Sequence, residues 1–378
     1  MAKKAKVKEE VVDEPKVMTA AEKRRKINAT LSKFAEKNPG AALSFGDPSF
    51  GKMGTVKSGI KALDRLTDDF PRGQYIQIVG GPGVGKTTMA CRLIGKLQSE
   101  GLTCAFANNE RRFSMDWAVT NGVNANELIG GNFQDLEQCL DFCIKMASEK
   151  LCDCLVIDTI TALASRGEIV SKKGDRSVDD NTMALIARKL SQFFRMATAA
   201  VADAGMIVIM INQVRLDLSN TMFVRETNSG GNALEHYTSL KLILNNASQK
   251  EWPGPEEKVH TGRLINVRLD KASHSKNSRK GDKTVLHFFD GIGFDNDYDT
   301  VYHARKQGLI TVEGQSAWTY TTLAGEEVTV KAGVRTVDPR MKEALIEKGL
   351  ITELEGRIQS KVQELPEDEV VEDTEEDA

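Results

Sequence analysis

The stretch GGPGVGKTT, residues 80–88, limits the possible folds of this 378-residue chain more than any other feature. It follows an apolar run at 75–79, which predicts a buried strand, and it precedes an apolar segment at 89–94, which predicts a helix. A glycine-rich turn in this position can point backbone N–H groups at phosphate oxygens, and the helix N-terminus adds partial positive charge. The pattern GxxxxGK followed by Thr, in this context, predicts a phosphate-binding loop.

Each residue of this loop is a candidate contact to a nucleotide. The candidates are Gly80, Gly81, Pro82, Gly83, Val84, Gly85, Lys86, Thr87 and Thr88. We expect Lys86 to reach the β- and γ-phosphates and the Thr87 hydroxyl to bind Mg²⁺. A glycine-rich turn without a ligand is the alternative.

Three more apolar runs, at 103–107, 155–159 and 206–211, predict strands that alternate with helices along the chain. Their nearly continuous apolar character is typical of strands that are buried on both faces of a parallel sheet. The predicted fold class is therefore α/β with a mainly parallel sheet. Ligands of such sheets bind at the carboxyl ends of the strands, so the residues that follow each run are candidates for chemistry.

Glu110, Asp158 and Gln213 occupy these strand ends. Asp158 is expected to be the acidic partner of Mg²⁺, either directly or through a water. Glu110 can accept a proton from a water that attacks the γ-phosphate, and Gln213 can detect that phosphate by a hydrogen bond. Alone, Asp158 or Glu110 could be a helix cap or a surface carboxylate, and a structural role is favoured for Gln213 alone. Their expected convergence on one edge of the sheet is the stronger evidence for a nucleotide site.

Two long segments, residues 164–183 and 214–231, follow strand ends and lack the character of a core. They contain the candidate DNA contacts, which are Arg166, Lys172, Lys173, Arg176, Arg215, Phe223, Arg225, Gly230 and Gly231. Basic residues, glycines and a few apolar side chains suit contact with a nucleic-acid backbone and its bases. Solvated loops are the alternative.

Composition and periodicity divide the chain into five parts. They are residues 1–18, predicted to be disordered; 19–50, a helix with a capping box and a short strand; 51–294, the core; 295–360, a small α+β domain; and 361–378, an acidic disordered tail. The helix and strand at 19–50 can pack on the core or on a neighbouring subunit.

The net charge of −3 is unevenly distributed, because nine acidic residues and no basic ones follow from Glu364 onward. The rest of the chain is therefore net positive, which suits a polyanion-binding protein whose tail competes for the same surface. A solvated tail without a role is equally compatible with the charges.

Other bulk features restrict the class of protein. No apolar stretch is long enough to span a bilayer, and the charged N-terminus does not resemble a secretory signal, so we expect a cytoplasmic protein without a membrane partner. The six cysteines lack a CxxC pair, and we interpret them as buried free thiols in preference to zinc ligands.

The ordered motifs GGPGVGKTT, CAFANNE, LVIDTITAL, IMINQVR and TNSGGNALEHYTSLKL resemble those of RecA-type strand-exchange recombinases of bacterial or phage kind. The resemblance covers roughly residues 19–350. It implies an ATPase, dependent on single-stranded DNA and Mg²⁺, that forms helical filaments and exchanges DNA strands. The implied partners are single- and double-stranded DNA, further copies of the chain, and mediator and single-strand-binding proteins. A phage-encoded member would act in the host cytoplasm.

The resemblance also implies roles for single residues. Glu110 would activate water, Gln213 would couple ATP to the DNA-binding loops, and Phe223 would be the aromatic residue of the second loop. Trp117 falls where an aromatic ring stacks on adenine, and Lys271 falls near the lysines that reach ATP from a neighbouring subunit. The N-terminal helix and strand would be the oligomerisation element.

The sequence departs from the family at several points. The phosphate-binding loop lacks the usual acidic and serine residues, and the first DNA-binding loop is a few residues longer. Ser273 stands where a second lysine is common, so Ser273 or the nearby Lys276 occupies that role. The main alternative is a hexameric DNA helicase built on the same core. The basic loops argue against an ATP-switched protein scaffold. A small-molecule kinase would need an arginine-bearing lid over a second substrate, and none is evident in the sequence.

Overall fold

The computed structural model describes residues 18–38, 54–160, 162–166, 183–217, 225–228, 231–253, 259–277, 280–313, 317–331 and 339–364. The chain divides into two compact units, Met1–Lys52 and Met53–Ala378. In the first unit the predicted helix is present as α1 (Ala20–Lys37), and Thr19 and Glu22 form the predicted capping box. The strand predicted at 42–45 lies outside the described residues.

The second unit contains the predicted alternation of strands and helices. Its described helices are α2 (Lys61–Thr67), α3 (Lys86–Ser99), α4 (Met115–Thr120), α5 (Leu136–Ser148), α6 (Met183–Ala204), α7 (Gly231–Tyr237), α8 (Asn296–Lys306), α9 (Pro339–Glu347) and α10 (Ile351–Glu364). Its described strands are β1 (Thr55–Val56), β2 (Phe70–Pro71), β3 (Tyr75–Gly80), β4 (Cys104–Asn108), β5 (Leu128–Gly131), β6 (Cys154–Asp158), β7 (Ile207–Asp217), β8 (Arg225–Asn228), β9 (Thr238–Pro253), β10 (Val259–Ala272), β11 (Lys283–Phe289), β12 (Gly293–Phe294), β13 (Ile310–Glu313), β14 (Ala317–Thr321) and β15 (Glu327–Lys331).

In the described part of the chain, the main sheet has ten strands in the order β12-β11-β10-β9-β3-β7-β6-β4-β5, with β8 beside β7. The neighbouring strands β9, β3, β7, β6, β4 and β5 are parallel, whereas β10, β11 and β12 extend the sheet with antiparallel pairs. The predicted α/β class with a mainly parallel sheet is confirmed. The loop strand β3 lies inside this sheet, between β7 and β9.

Two hydrophobic cores cover the two faces of the sheet. Side chains of a strand alternate between faces, so Cys154 and Val156 of β6 join the core under α2 and α3, while Leu155 and Ile157 join the core under α5 and α6. Burial on both faces explains why the sequence shows continuous apolar runs at these strands. All six cysteines are free and buried, as predicted.

The segment predicted as a loop at 214–231 is partly wrong. β7 continues past Ile211 to Asp217 and pairs with β8 in an antiparallel ladder that joins Val214 to Asn228. The sequence signal ended at Ile211 because the continuous apolar run stops there and polar residues alternate with Val214 and Leu216, and a two-stranded extension needs no apolar core. The second segment therefore leaves the sheet as a β-ribbon, and α7 starts directly at its end.

The start of the acidic tail also needs correction. Residues 361–364 were expected to be disordered, but α10 continues to Glu364. Its residues Ile351, Leu354 and Ile358 are buried in a third core, which they share with Trp318 of the sheet β13-β14-β15. The helical spacing of these apolar residues turns one face of α10 toward the core, although most of its remaining residues are polar or charged. Residues 365–378 lie outside the described part.

Helix α8 joins the main sheet to this third core, and its half-buried His303 lies near the buried His287 of β11. Asp299 accepts hydrogen bonds from the backbone N–H of His287 (2.9 Å) and from its Nδ1 (2.7 Å). One turn further along α8, the pKa of His303 is lowered to about 3, mainly by burial and to a smaller extent by the neighbouring Arg65 and His287. This histidine is therefore held neutral in the folded protein.

Within the described residues, no helix is both long enough and apolar enough to cross a bilayer.

We predict that His303 makes the fold sensitive to acid. The unfolded chain binds a proton near the ordinary pKa of 6.5, whereas the folded chain does so only near 3, so stability is lost as the pH falls through this window. Between pH 7 and pH 5 the wild type should lose about 1–2 kcal/mol more than His303→Gln. Urea unfolding at several pH values measures this difference, and parallel pH profiles for the two proteins would contradict it.

Candidate nucleotide-binding site

The loop after β3 requires glycine at several positions. Gly83 and Gly85 have φ values of +73° and +85°, which side chains strongly disfavour. A Cβ atom on Gly80 would lie 2.6 Å from the Leu244 carbonyl oxygen and 2.8 Å from Cγ2 of Val84. The backbone can therefore follow this tight path only because these side chains are absent.

Lys86, the first residue of α3, points back into the loop. Its Nζ donates hydrogen bonds to the carbonyl oxygens of Gly80 (2.9 Å) and Gly81 (2.6 Å). Burial lowers the pKa of the Lys86 ammonium, while the carboxylates of Asp158 and Glu110 act in the opposite direction. The loop thus holds a lysine, close to two acidic side chains, where a phosphate would be bound.

Thr87 and Asp158 are in direct contact. The Thr87 hydroxyl donates to Oδ2 of Asp158 at 2.6 Å, which joins the start of α3 to the end of β6. Burial raises the pKa of the Asp158 carboxyl, the Thr87 hydrogen bond lowers it, and nearby Glu110 raises it again. A hydroxyl and a carboxylate beside a phosphate-binding loop are hard oxygen donors of the kind that Mg²⁺ prefers, so these residues fit that ion.

Glu110 and Gln213 meet above the same edge of the sheet. Nε2 of Gln213 donates to Oε1 of Glu110 at 2.8 Å. The backbone N–H groups of Asn109 and Glu110 both donate to the Asp158 carbonyl oxygen, at 2.9 Å and 3.2 Å. The structure therefore brings together the three side chains that the sequence placed at strand ends, while their chemical roles stay predictions.

Trp117 lies beside the loop on α4. Its Nε1 donates to the Thr88 hydroxyl at 2.9 Å, and its ring centroid lies 6.1 Å from that of Phe288 at the end of β11. Stacking of Trp117 on adenine stays a prediction. Phe288 was not predicted from the sequence, because its position near the loop depends on strand pairing between distant parts of the chain.

Two other candidates have partners within the chain. Lys271 donates to the carbonyl oxygens of Glu235 (2.9 Å) and His236 (3.3 Å), at the C-terminal end of α7. Arg166 holds both carboxylate oxygens of Asp135, at 3.1 Å and 3.2 Å. Either side chain would have to exchange these partners to bind a ligand.

The structure gives no side-chain geometry for the remaining DNA-binding candidates. Lys172, Lys173, Arg176, Phe223 and Gly230 lie outside the described residues, and only the backbone is described for Arg215, Arg225 and Gly231.

A basic groove between α6 and α7 was not found from the sequence. It has a volume of about 460 Å³ and is lined by Arg188, Ser191, Arg195, Ala233, His236 and Tyr237. The two arginines are two helical turns apart on α6 and are exposed. Because α6 follows the first predicted DNA-binding segment and α7 follows the second, the groove lies where both segments return to the core. The i, i+7 spacing of the arginines was the one available sequence signal.

The fold and the loop define a P-loop NTPase core. The family profile described as "RecA N-terminal domain" matches residues 25–292. Protein RecA of Thermotoga neapolitana is 28% identical over 348 residues, which cover 90% of this chain and 95% of that protein. Protein RecA of Streptococcus equi subsp. zooepidemicus is 31% identical over 275 residues, covering 72% and 70% of the two chains.

The chain belongs to the RecA family of recombinases. This confirms the family that the ordered motifs resembled, with its part in recombination and repair and its binding of ATP and DNA. The profile ends at residue 292, close to the point where the described chain enters α8 and the third core.

We predict that two neighbouring glycines of the loop differ in their tolerance of a side chain. Gly80→Ala should lower the free energy of unfolding by about 1–3 kcal/mol, because the new methyl group meets backbone and Val84 atoms. Gly81→Ala is the matched control, since its Cβ would meet its nearest atom at 3.9 Å. Chemical denaturation of both variants tests this, and equal stabilities would contradict the loop geometry.

Proposed function

We propose that the protein is an ATPase, dependent on single-stranded DNA, that forms helical filaments on DNA and catalyses homologous pairing and strand exchange. The observation that carries this proposal is the hydrogen bond between Glu110 and Gln213 at the nucleotide site. It joins the candidate base to β7, the strand that runs on into the second predicted DNA-binding segment. Such a contact can link the state of the nucleotide to DNA binding.

Different residues in and near the loop would bind different parts of ATP and its Mg²⁺. Backbone N–H groups of residues 80–88 would surround the phosphates, and Lys86 would exchange its carbonyl acceptors for the β- and γ-phosphates. Thr87 and Asp158 would hold Mg²⁺, which would supply positive charge to the phosphate oxygens. Trp117 would bind the adenine.

Hydrolysis requires a base near the γ-phosphate. The Glu110 carboxylate would accept the proton of the attacking water, and the resulting hydroxide would displace the bound ADP from phosphorus. Gln213 shares its side-chain N–H with Glu110 and would bind the γ-phosphate instead when ATP is present. That exchange would move the end of β7.

DNA would bind near the α6–α7 groove and along the two segments. Arg188 and Arg195 present two positive charges to a phosphate backbone, and Ser191 adds a hydroxyl between them. The predicted contacts in the segments, from Arg166 to Arg176 and from Arg215 to Gly231, would extend this surface.

Filament formation requires contacts between copies of the chain. Ile27, Leu31 and Phe34 lie on one face of α1, and no residue of this helix is buried. This apolar face would dock on a neighbouring subunit. Lys271 would reach the neighbour's nucleotide if it released the end of α7. Mediator and single-strand-binding proteins are the further expected partners, and the cytoplasm of the cell or host is the expected location.

Electron microscopy with single-stranded DNA and a non-hydrolysable ATP analogue tests this function. The wild type should form continuous helical filaments, and Lys86→Ala should form none because it lacks the phosphate-binding ammonium. Discrete rings would instead favour the hexameric helicase. Absence of any assembly would reject both functions.

We predict that Glu110→Gln separates ATP binding from hydrolysis. The amide keeps the shape of the side chain but cannot accept a proton, so turnover should fall by ~10²-fold or more while ATP still binds. Steady-state hydrolysis and equilibrium binding of a fluorescent ATP analogue measure the two effects. Glu127→Gln, which changes an exposed glutamate elsewhere in the core, serves as the control. Turnover near the wild-type rate would exclude Glu110 as the base.

We predict that Arg195 contacts DNA phosphate. Arg195→Ala should weaken binding of single-stranded DNA and should reduce the salt dependence of the affinity by about one charge. Lys189→Ala is the matched control, because this lysine lies on the same helix but pairs with Glu137 at 3.2 Å, outside the groove. Fluorescence anisotropy across a salt series gives both slopes. The same slope for Arg195→Ala and the wild type would place the DNA elsewhere.

A further inference from the structure

Arg263, at the start of the described side chains of β10, contacts the phosphate-binding loop from outside. Its Nη1 donates to the Gly83 carbonyl oxygen at 3.1 Å, although the two residues are 180 positions apart in the chain. Its Nη2 donates to Oδ1 of Asp290 at 2.8 Å, and its guanidinium carbon lies 5.2 Å from the centre of the Phe288 ring. One side chain therefore joins the loop to the turn after β11.

The contact fixes the direction of a peptide group. In a trans peptide the C=O of one residue and the N–H of the next point in opposite directions. Because Arg263 holds the Gly83 carbonyl, the N–H of Val84 is directed away from the guanidinium, toward the side where we infer that phosphate oxygens lie. Gly83 has a φ of +73° and no Cβ atom, so without this contact its backbone could adopt other conformations easily.

The adjoining aromatic residues support the same part of the loop. A Cβ atom on Gly85 would lie 3.2 Å from Cζ of Phe294 and 3.6 Å from Cδ2 of Phe288. The rings thus pack directly behind Gly85, while the guanidinium holds Gly83. The peptide groups on both sides of Val84 are therefore backed by residues from the antiparallel extension of the sheet.

We propose that Arg263 is a positioning residue for ATP binding, which orients the Gly83–Val84 peptide, and that Asp290 holds its guanidinium in place. The inference rests on the proposed ATP site at this loop. Arginine suits the role because its planar fork can serve two acceptors and stack on an aromatic ring at once, whereas lysine provides a single ammonium.

The melting temperature and the affinity for ATP distinguish a structural role of Arg263 from a positioning role. The side chains of Arg263 and Asp290 are 31% and 36% exposed, and an ion pair of this exposure contributes little to stability. Loss of the pair should therefore leave the melting temperature nearly unchanged. The effect should appear in the affinity for ATP, because the free loop would have to be ordered by the nucleotide itself.

The first test compares Arg263→Ala with Arg268→Ala in the full-length protein. Arg268 lies on the same strand, is 38% exposed and pairs with Asp270, but it is not among the loop contacts described above. With Mg²⁺ and a fluorescent ATP analogue, Arg263→Ala should bind roughly tenfold more weakly, as for one lost charge-assisted hydrogen bond. KM for ATP should rise by a similar factor while kcat changes little. Arg263→Lys should restore part of the affinity.

The second test asks whether Asp290 acts through Arg263. Asp290→Asn should weaken analogue binding in the wild-type background but should have little further effect in Arg263→Ala, so the two changes should be non-additive. Fully additive effects would overturn the role of Asp290. Affinity of Arg263→Ala within twofold of the wild type, or an equal loss in Arg268→Ala, would overturn the role of Arg263.

Lys86→Ala separates this inference from the function on which it rests. If the wild type binds the analogue no better than Lys86→Ala, the ATP site itself is rejected and the inference with it. If the wild type binds, Lys86→Ala does not and Arg263→Ala matches the wild type, then only the inference is rejected.

Discussion

The position of β3 between two parallel neighbours controls the geometry of the whole site. Its ladder with β7 places Gly80 opposite Gln213, and the ladder between β4 and β6 places Asn108 opposite Asp158. The carboxyl ends of parallel strands in this register lie at one edge of the sheet. The register alone therefore brings the loop, the acidic residues and Gln213 to that edge. A shift of one residue in either ladder would turn these side chains to the opposite face.

Charge at this edge is arranged before a ligand binds. The buried Lys86 ammonium lies close to the carboxylates of Asp158 and Glu110, which oppose the lowering of its pKa by burial, and Glu110 also raises the pKa of Asp158. Hydrogen bonds from Thr87 and Gln213 fix the two acids at separate places. Fixed dipoles and charges of this kind would reduce the reorganisation needed for the proposed binding of phosphate and Mg²⁺.

The sequence predicted features that depend on local pattern. The loop, the buried strands and the capping box each have a compact signal in neighbouring residues. Features that depend on distant pairing were missed or misplaced. The ribbon of β7 and β8 has no apolar run, α10 has few apolar residues and is recognised by its packing on the third core, and Arg263 meets Gly83 only because β10 is added to the far side of β9. The α6–α7 groove was missed because Arg188 and Arg195 belong to no short motif.

We propose that the nucleotide site and the DNA-binding surface are coupled through the contact of Glu110 with Gln213. Coupling is reciprocal, so a non-hydrolysable ATP analogue should raise the affinity for single-stranded DNA by the same factor by which DNA raises the affinity for the analogue. The most direct measurement is this pair of factors, in the wild type and in Gln213→Ala. We expect equal factors well above one in the wild type and factors near one in the variant, which should still bind each ligand alone. A DNA affinity in the wild type that is independent of the nucleotide would contradict the account.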